Sequence, residues 1–126
     1  MIIVDRALEK RDSENNPIRT AMIGAGFMGR GVALQILNAV QGMELAAISN
    51  RHLDGAKRAF FEAGVEEVRT VETVSQLEDA VAQGRCAITE DAMLLCQAEG
   101  IDAVVEVTGV VEFGAQAALK AIENGK

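Results

Sequence analysis

The stretch "AMIGAGFMGRG", Ala21 to Gly31, decides the fold. An apolar run that reads as a strand breaks at Gly24, and a helical spacing begins a few residues later. Gly24, Gly26 and Gly29 form G-x-G-x-x-G. Alone this pattern recurs by chance. Here it follows a strand and opens a helix, and that context gives it weight. The three glycines have distinct tasks. Gly24 permits a tight turn, Gly26 lets the backbone approach a pyrophosphate, and Gly29 lets the helix lie close to the strand. The turn runs through Ala25, and the free N–H groups from Gly26 through Phe27 to Met28 would face the anion. The helix N-terminus adds partial positive charge. A structural corner without a ligand is the competing reading.

Working outward, Met28, Val32, Ile36 and Val40 recur every four residues beside Ala33 and Leu37, which predicts one face of a helix. Gly42 is its expected stop. Pro17 ends an N-terminal segment, residues 1–17, that reads as a short arm and a helix fraying into the polar "RDSENNP" linker. Residues 18–126 form the main domain. It opens with a strand at Ile18–Ile23, and Met43–Ser49 reads as the second strand. Gly55–Ala63 reads as a helix with Asp54 as N-cap and Gly64 as its stop. "VEEVRTV" fits a short strand or a loop. "SQLEDAVAQG" is a helix with a capping-box pattern at Ser75 and Glu78. "CAIT" is a short strand, and "EDAMLLCQAEG" a helix ending at Gly100. "IDAVVEVTG", Ile101–Gly109, fits a strand buried on both faces. "EFGAQAALKAIENG" is a last helix with Phe113, Ala117, Ala118, Ala121 and Ile122 inward and Gly125 as its stop.

Alternating strands and helices imply right-handed βαβ units. The expected fold is α/β: a Rossmann-type doubly wound parallel sheet in the order three, two, one, four. A further strand is expected beyond Lys126, so the sheet reads as truncated before its fifth strand, with an open apolar edge. The expectation is a fragment of a longer protein, self-associating through that edge as a homo-oligomer.

Composition narrows the partners. The chain has 126 residues, 49% of them apolar and 25% charged, with a net charge of −7. An acidic surface repels nucleic acid and anionic lipid, so neither is expected as a partner. There is no Trp or Tyr, so the core must be aliphatic. Cys86 and Cys96 read as reduced thiols of a cytoplasmic protein, and one histidine, His52, does not make a metal site. No apolar run nears the roughly 18 residues of a membrane span, and the N-terminus lacks a signal-peptide pattern.

The second strand ends in "SNRH". An NAD site usually carries an acid there for the ribose hydroxyls. Asn50 occupies that position and Arg51 follows. Asn50 can donate to a 2′-phosphate and Arg51 can pair with it, which favours NADP over NAD. Arg51 as a merely solvated charge is the alternative. Ser49 and His52 could add contacts. "EVTG" ends the fourth strand, on the side where ligands bind, so Thr108 and Gly109 are expected near the nicotinamide. Glu106 fits a backbone-capping role somewhat better than a substrate role. Thr89 could reach the adenosine side.

A resemblance adds to this. "NPIRTAMIGAGFMGRGVALQI", "MELAAISNRH", "AITEDAMLLCQAEGIDAVVEVTGVVEFGAQAAL" and "IIVDRALEKR" together resemble the N-terminal domain of homoserine dehydrogenase-like oxidoreductases that carry a SAF domain. The family includes 1-deoxy-D-xylulose 5-phosphate reductoisomerase-like enzymes of isoprenoid biosynthesis. The resemblance implies NADPH as cofactor, with Gly24, Gly26 and Gly29, then Asn50 and Arg51, then Thr108 and Gly109 matching the family's binding segments. It implies that substrate, a divalent metal and the catalytic groups belong to a following domain. Three functions are open: an NADP-dependent reductase or dehydrogenase of a small hydroxy-carbonyl, phosphorylated or not, or of a hydroxy acid; a non-catalytic module sensing NADP(H); and a purely structural domain.

Overall fold

The computed structural model describes residues 3–126, so Met1 and Ile2 of the expected N-terminal arm lie outside the described residues. The elements run α1 (Ile3–Ser13), β1 (Ile18–Ile23), α2 (Phe27–Asn38), β2 (Met43–Ser49), α3 (Leu53–Glu62), β3 (Arg69–Thr70), α4 (Val74–Ala82), β4 (Ala87–Thr89), α5 (Ala92–Gln97), β5 (Ala103–Glu106) and α6 (Val111–Glu123). All pairings are parallel, and the sheet order is β3-β4-β2-β1-β5. The expected order of the longer strands is present. The difference is β3, two residues of the ambiguous "VEEVRTV", which pair with β4 and make the sheet five-stranded.

Side-chain alternation along the strands divides the core in two. Met22 and Ile48 face α2 and α3, where they pack with Ala33, Ile36, Ala56, Ala59 and Phe60. Ala21, Ile23 and Ala47 face α4, α5 and α6. Helices cover both faces, so strands without polar alternation are what the sheet requires. Thr20 pairs with Leu45 but Ala21 with Ala47, so Ala46 is an extra residue that bulges β2. The bulge returns Ala47, Ile48 and Ser49 to register just below the site.

Several boundaries differ from expectation. The buried seam of α2 is Gly29, Ala33 and Ile36, and Met28 faces solvent. α2 ends at Asn38, short of Gly42, whose φ of +79° serves the turn into β2 against the Leu8 carbonyl. α3 starts two residues early with His52 as N-cap, and Asp54 lies inside the first turn, where its charge still suits the helix dipole. α4 is capped by Thr73, whose hydroxyl accepts from the Gln76 N–H. Thr73-x-x-Gln76 outcompetes the Ser75 pattern, and Glu78 instead accepts from the Glu99 N–H. α5 stops at Gln97 because Ala98 turns extended, its carbonyl accepting from Lys126 Nζ. On α6, Gly114, Ala117 and Ala121 are buried, while Ala118 and Ile122 are exposed. The apolar arc of α6 is wider than the surface that α5 and β5 offer it.

Candidate functional site

Parallel strands all end on the same side of the sheet, and the loops leaving those ends enclose a cleft of about 580 Å³. Its walls come from the turn after β1 (Ile23, Gly24, Ala25, Gly26), the end of β2 (Ser49, Asn50, Arg51), the exit of β4 (Glu90, Ala92) and the loop after β5 (Val107, Thr108, Val110, Phe113). Four chain segments distant in sequence thus meet around the start of α2.

The geometry separates the three glycines. Gly24 has φ +105°, and a Cβ there would lie 3.1 Å from Val107 and the Thr108 nitrogen. It is needed both for the turn and for close passage beneath the β5 loop. A Cβ on Gly29 would lie 2.8 Å from the Gly24 carbonyl oxygen, so Gly29 sets the helix-to-strand approach. Gly26 has ordinary extended dihedrals, φ −74° and ψ −165°, and nothing lies within 4 Å of its missing Cβ. Among the described residues no atom requires Gly26 to be glycine, and the open space before it leaves a backbone approach free.

Among the described residues no side chain caps α2 at its N-terminus, and its first turn contains no acid. Gly24 and Ala25 are already committed: Gly24 N–H donates to the Ser49 carbonyl at 2.8 Å and Ala25 N–H to Asn50 Oδ1 at 3.1 Å. The first-turn amides of α2 remain, at the positive end of its dipole. Phe27 and Met28 are 85% and 71% exposed and line a separate groove with Arg30 and Leu34. Their side chains line that groove and not the cleft, whose wall reaches α2 only at its N-cap, Gly26.

Ser49 is buried, yet its Oγ has no hydrogen-bond partner among the described residues, and it lines the cleft. A buried hydroxyl without a partner is costly. A polar ligand in the cleft would satisfy it. Arg51 is exposed at the rim, and among the described residues no carboxylate lies within salt-bridge distance of it. Asn50 differs from expectation. Its Oδ1 takes the Ala25 N–H and its Nδ2 donates to the His52 carbonyl at 3.0 Å, so the amide is engaged with backbone on both ends.

Thr108 lines the cleft, but its hydroxyl is occupied as well. It bonds Glu106 Oε1 and accepts from the Val110 N–H at 3.1 Å, while the Thr108 N–H donates to Glu106 Oε1 at 2.8 Å. Glu106 caps this loop, the role the sequence favoured, and Gly114 makes room for its carboxylate: a Cβ there would lie 2.7 Å from Oε2. Gly109 turns with φ +75° beside the cleft without lining it. Thr89 is buried, and its hydroxyl accepts from the Asp91 N–H. His52 lies outside the cleft wall. Glu90, which the sequence reading did not single out, and Phe113, which it placed only on the inward face of the last helix, both line the cleft. Glu90 could have been found, since it is the first residue past the carboxyl end of β4.

The dinucleotide the motif implies fits this donor set: bare helix amides, an unobstructed Gly26, an orphaned Ser49 hydroxyl and a free guanidinium. The volume lies within the range of small-molecule sites, roughly 300–1,000 Å³.

Among solved structures the chain is similar to two dehydrogenases of Lactobacillus casei. One is a myo-inositol dehydrogenase in complex with NAD(H) and myo-inositol, at 23% identity and a TM-score of 0.64. The other is a scyllo-inositol dehydrogenase with NAD(H) and scyllo-inositol, at 24% identity and the same TM-score. The fold is Rossmann-type. Each alignment covers 87% of this chain and 26% of the other, so the chain spans about a quarter of those enzymes' length. No family model and no curated protein matches the sequence.

Proposed function

We propose that this chain is the NADP(H)-binding domain of an oxidoreductase. The observation that carries the reading is the uncapped, acid-free N-terminus of α2, whose N-cap Gly26 lines a cleft that also holds Arg51, unpaired among the described residues. Such a turn binds a diphosphate through main-chain amides and the helix dipole. Arg51 would pair with a 2′-phosphate, and Ser49 Oγ would donate to the ribose side. When bound, the cofactor supplies or accepts the hydride. The chain's own task is to fix the nicotinamide against the Thr108 loop, stiffened by Glu106, so that a carbonyl substrate meets it in reactive geometry. Substrate and catalytic groups then belong to a separate domain, and the resemblance noted above suggests a small phosphorylated hydroxy-carbonyl, as in the reductoisomerase-like enzymes. A homoserine dehydrogenase-like oxidation of a hydroxy acid uses the same half-site.

A second reading, an NAD-dependent polyol dehydrogenase domain, is favoured by the likeness to the two inositol dehydrogenases and by Glu90, a carboxylate on the cleft wall able to accept from ribose hydroxyls. Calorimetric titration with NADPH and NADH decides between them. NADPH preference in the wild type is expected, with Arg51→Ala losing roughly 10- to 150-fold for NADPH, the value of one charged hydrogen-bonded pair, and little for NADH. Preference for NADH, or equal loss for both, refutes the NADP assignment. Binding of neither returns the turn to a structural corner.

A further inference from the structure

The position at the end of β2 is where a Rossmann-type site ordinarily reads the ribose, and Asn50 stands there. Its geometry argues for a different task. The Ala25 N–H needs an acceptor, which places Oδ1 there and turns Nδ2 toward the His52 carbonyl, an oxygen that also accepts from the Gly55 N–H. The amide nitrogen is pressed under the first turn of α3, against Gly55, where a Cβ would collide with it. Gly55 therefore stays small to let Asn50 in. Through Asn50 the glycine turn is tied to the loop that carries Arg51, and that loop is tied to the start of α3.

We propose that Asn50 is a positioning residue, a clasp that holds the phosphate turn and the Arg51 loop in one geometry, and that Arg51 alone carries discrimination of the 2′-phosphate. The specificity half of this rests on the dinucleotide reading above; the clasp itself does not. An acid cannot substitute at this site. Aspartate would keep the acceptor for Ala25 but set a second carboxylate oxygen against the His52 carbonyl, two acceptors at the 3.0 Å now spanned by a hydrogen bond. The Arg51 loop would be pushed away. Asn50→Asp is thus not the route to an NAD site that the position suggests.

Dissociation constants for NADPH and NADH would be measured on the wild type, Asn50→Ala, Asn50→Asp, Gly55→Ala and Arg51→Ala. Asn50→Ala and Gly55→Ala should weaken both nucleotides by about tenfold and lower their ratio by clearly less than Arg51→Ala does, because the guanidinium is still present. Arg51→Ala should lower the NADPH:NADH preference by at least about tenfold. Asn50→Asp should gain nothing for NADH. A ratio that falls at Asn50→Ala as far as at Arg51→Ala would make Asn50 a phosphate ligand and overturn the proposal, as would tighter NADH binding by Asn50→Asp. A nucleotide-free readout stands beside these: hydrogen exchange at the Ala25 amide. It should be slow in the wild type and in Asn50→Asp, and faster in Asn50→Ala. Equal exchange in the wild type and Asn50→Ala overturns the clasp. If the wild type binds neither nucleotide, the dinucleotide reading and the specificity half fail together, and Ala25 exchange alone decides the clasp.

Discussion

Gly26→Ala separates a glycine kept for a ligand from glycines kept for the fold. At Gly24 and Gly29 an added methyl meets backbone at 2.8–3.1 Å; at Gly26 it meets nothing within 4 Å. The dihedrals of Gly26 are ones alanine adopts freely. Removing glycine's freedom in the unfolded chain favours the variant by about 0.4–1 kcal/mol. Gly26 is also the N-cap of α2, where alanine is the poorer residue by roughly 0.5–1 kcal/mol. The two effects nearly cancel, so unfolding free energy should stay within about 0.5 kcal/mol of the wild type, a shift of a few degrees in Tm at most. Binding should respond quite differently. The methyl would occupy the space through which a pyrophosphate reaches the first-turn amides, and a displacement that loses one such charged hydrogen bond costs about 1.5–3 kcal/mol, or roughly 10- to 150-fold in Kd. Urea unfolding and NADPH titration on the same preparation read both quantities. A variant that unfolds like the wild type and still binds NADPH like the wild type would mean that no phosphate approaches Gly26, and the site reasoning would be wrong. A variant that loses several kcal/mol of stability would mean that the open space is filled in solution.

The remaining predictions concern fold and thiols. Gly24→Ala combines a positive φ with backbone contact at 3.1 Å and should lose about 3 kcal/mol or more by urea unfolding; a loss under about 1 kcal/mol would contradict the described turn. Gly114→Ala forces the Glu106 carboxylate from the Thr108 loop, so amide exchange at Thr108 should quicken even where the melting temperature changes little. Unchanged exchange would show that Glu106 does not hold the loop. Burial pushes the Cys86 thiol above its ordinary value of 9.0, with Glu44 adding to the rise, and burial likewise pushes up Cys96. A thiol whose folded pKa is raised stays protonated longer in the native state, so its stabilisation is full below the ordinary value and is lost as pH climbs through the folded one. Melting temperature should therefore fall more steeply above about pH 9 in the wild type than in Cys86→Ala, whereas identical slopes would remove Cys86 from the account.

Sequence and tertiary structure divided this protein along a physical line. Periodicity and punctuation are local, and they sufficed for the strands at Ile18–Ile23 and Met43–Ser49, the helix after Gly26, and the order of the four longer strands, because parallel βαβ connections leave few alternatives. The distinct jobs of Gly24 and Gly29 were legible for the same reason: a strand followed at once by a helix leaves only one tight path. Caps were less legible. Thr73 and Ser75 both offer a hydroxyl; Thr73 takes the Gln76 N–H, while Glu78 is engaged by the Glu99 N–H, 21 residues away. The inward face of α6 was overestimated at Ala118 and Ile122, since an apolar arc says what could be buried and not how much surface a neighbour supplies. At the site, residue type marked Asn50 and Thr108 as available hydrogen-bonding groups, but a side chain's availability is settled by which backbone groups fold against it. Asn50 spends its amide on Ala25 and His52, and Thr108 its hydroxyl on Glu106 and Val110. Ser49 and Arg51 are left without protein partners among the described residues, and only the packing of four distant segments around one cleft could decide that.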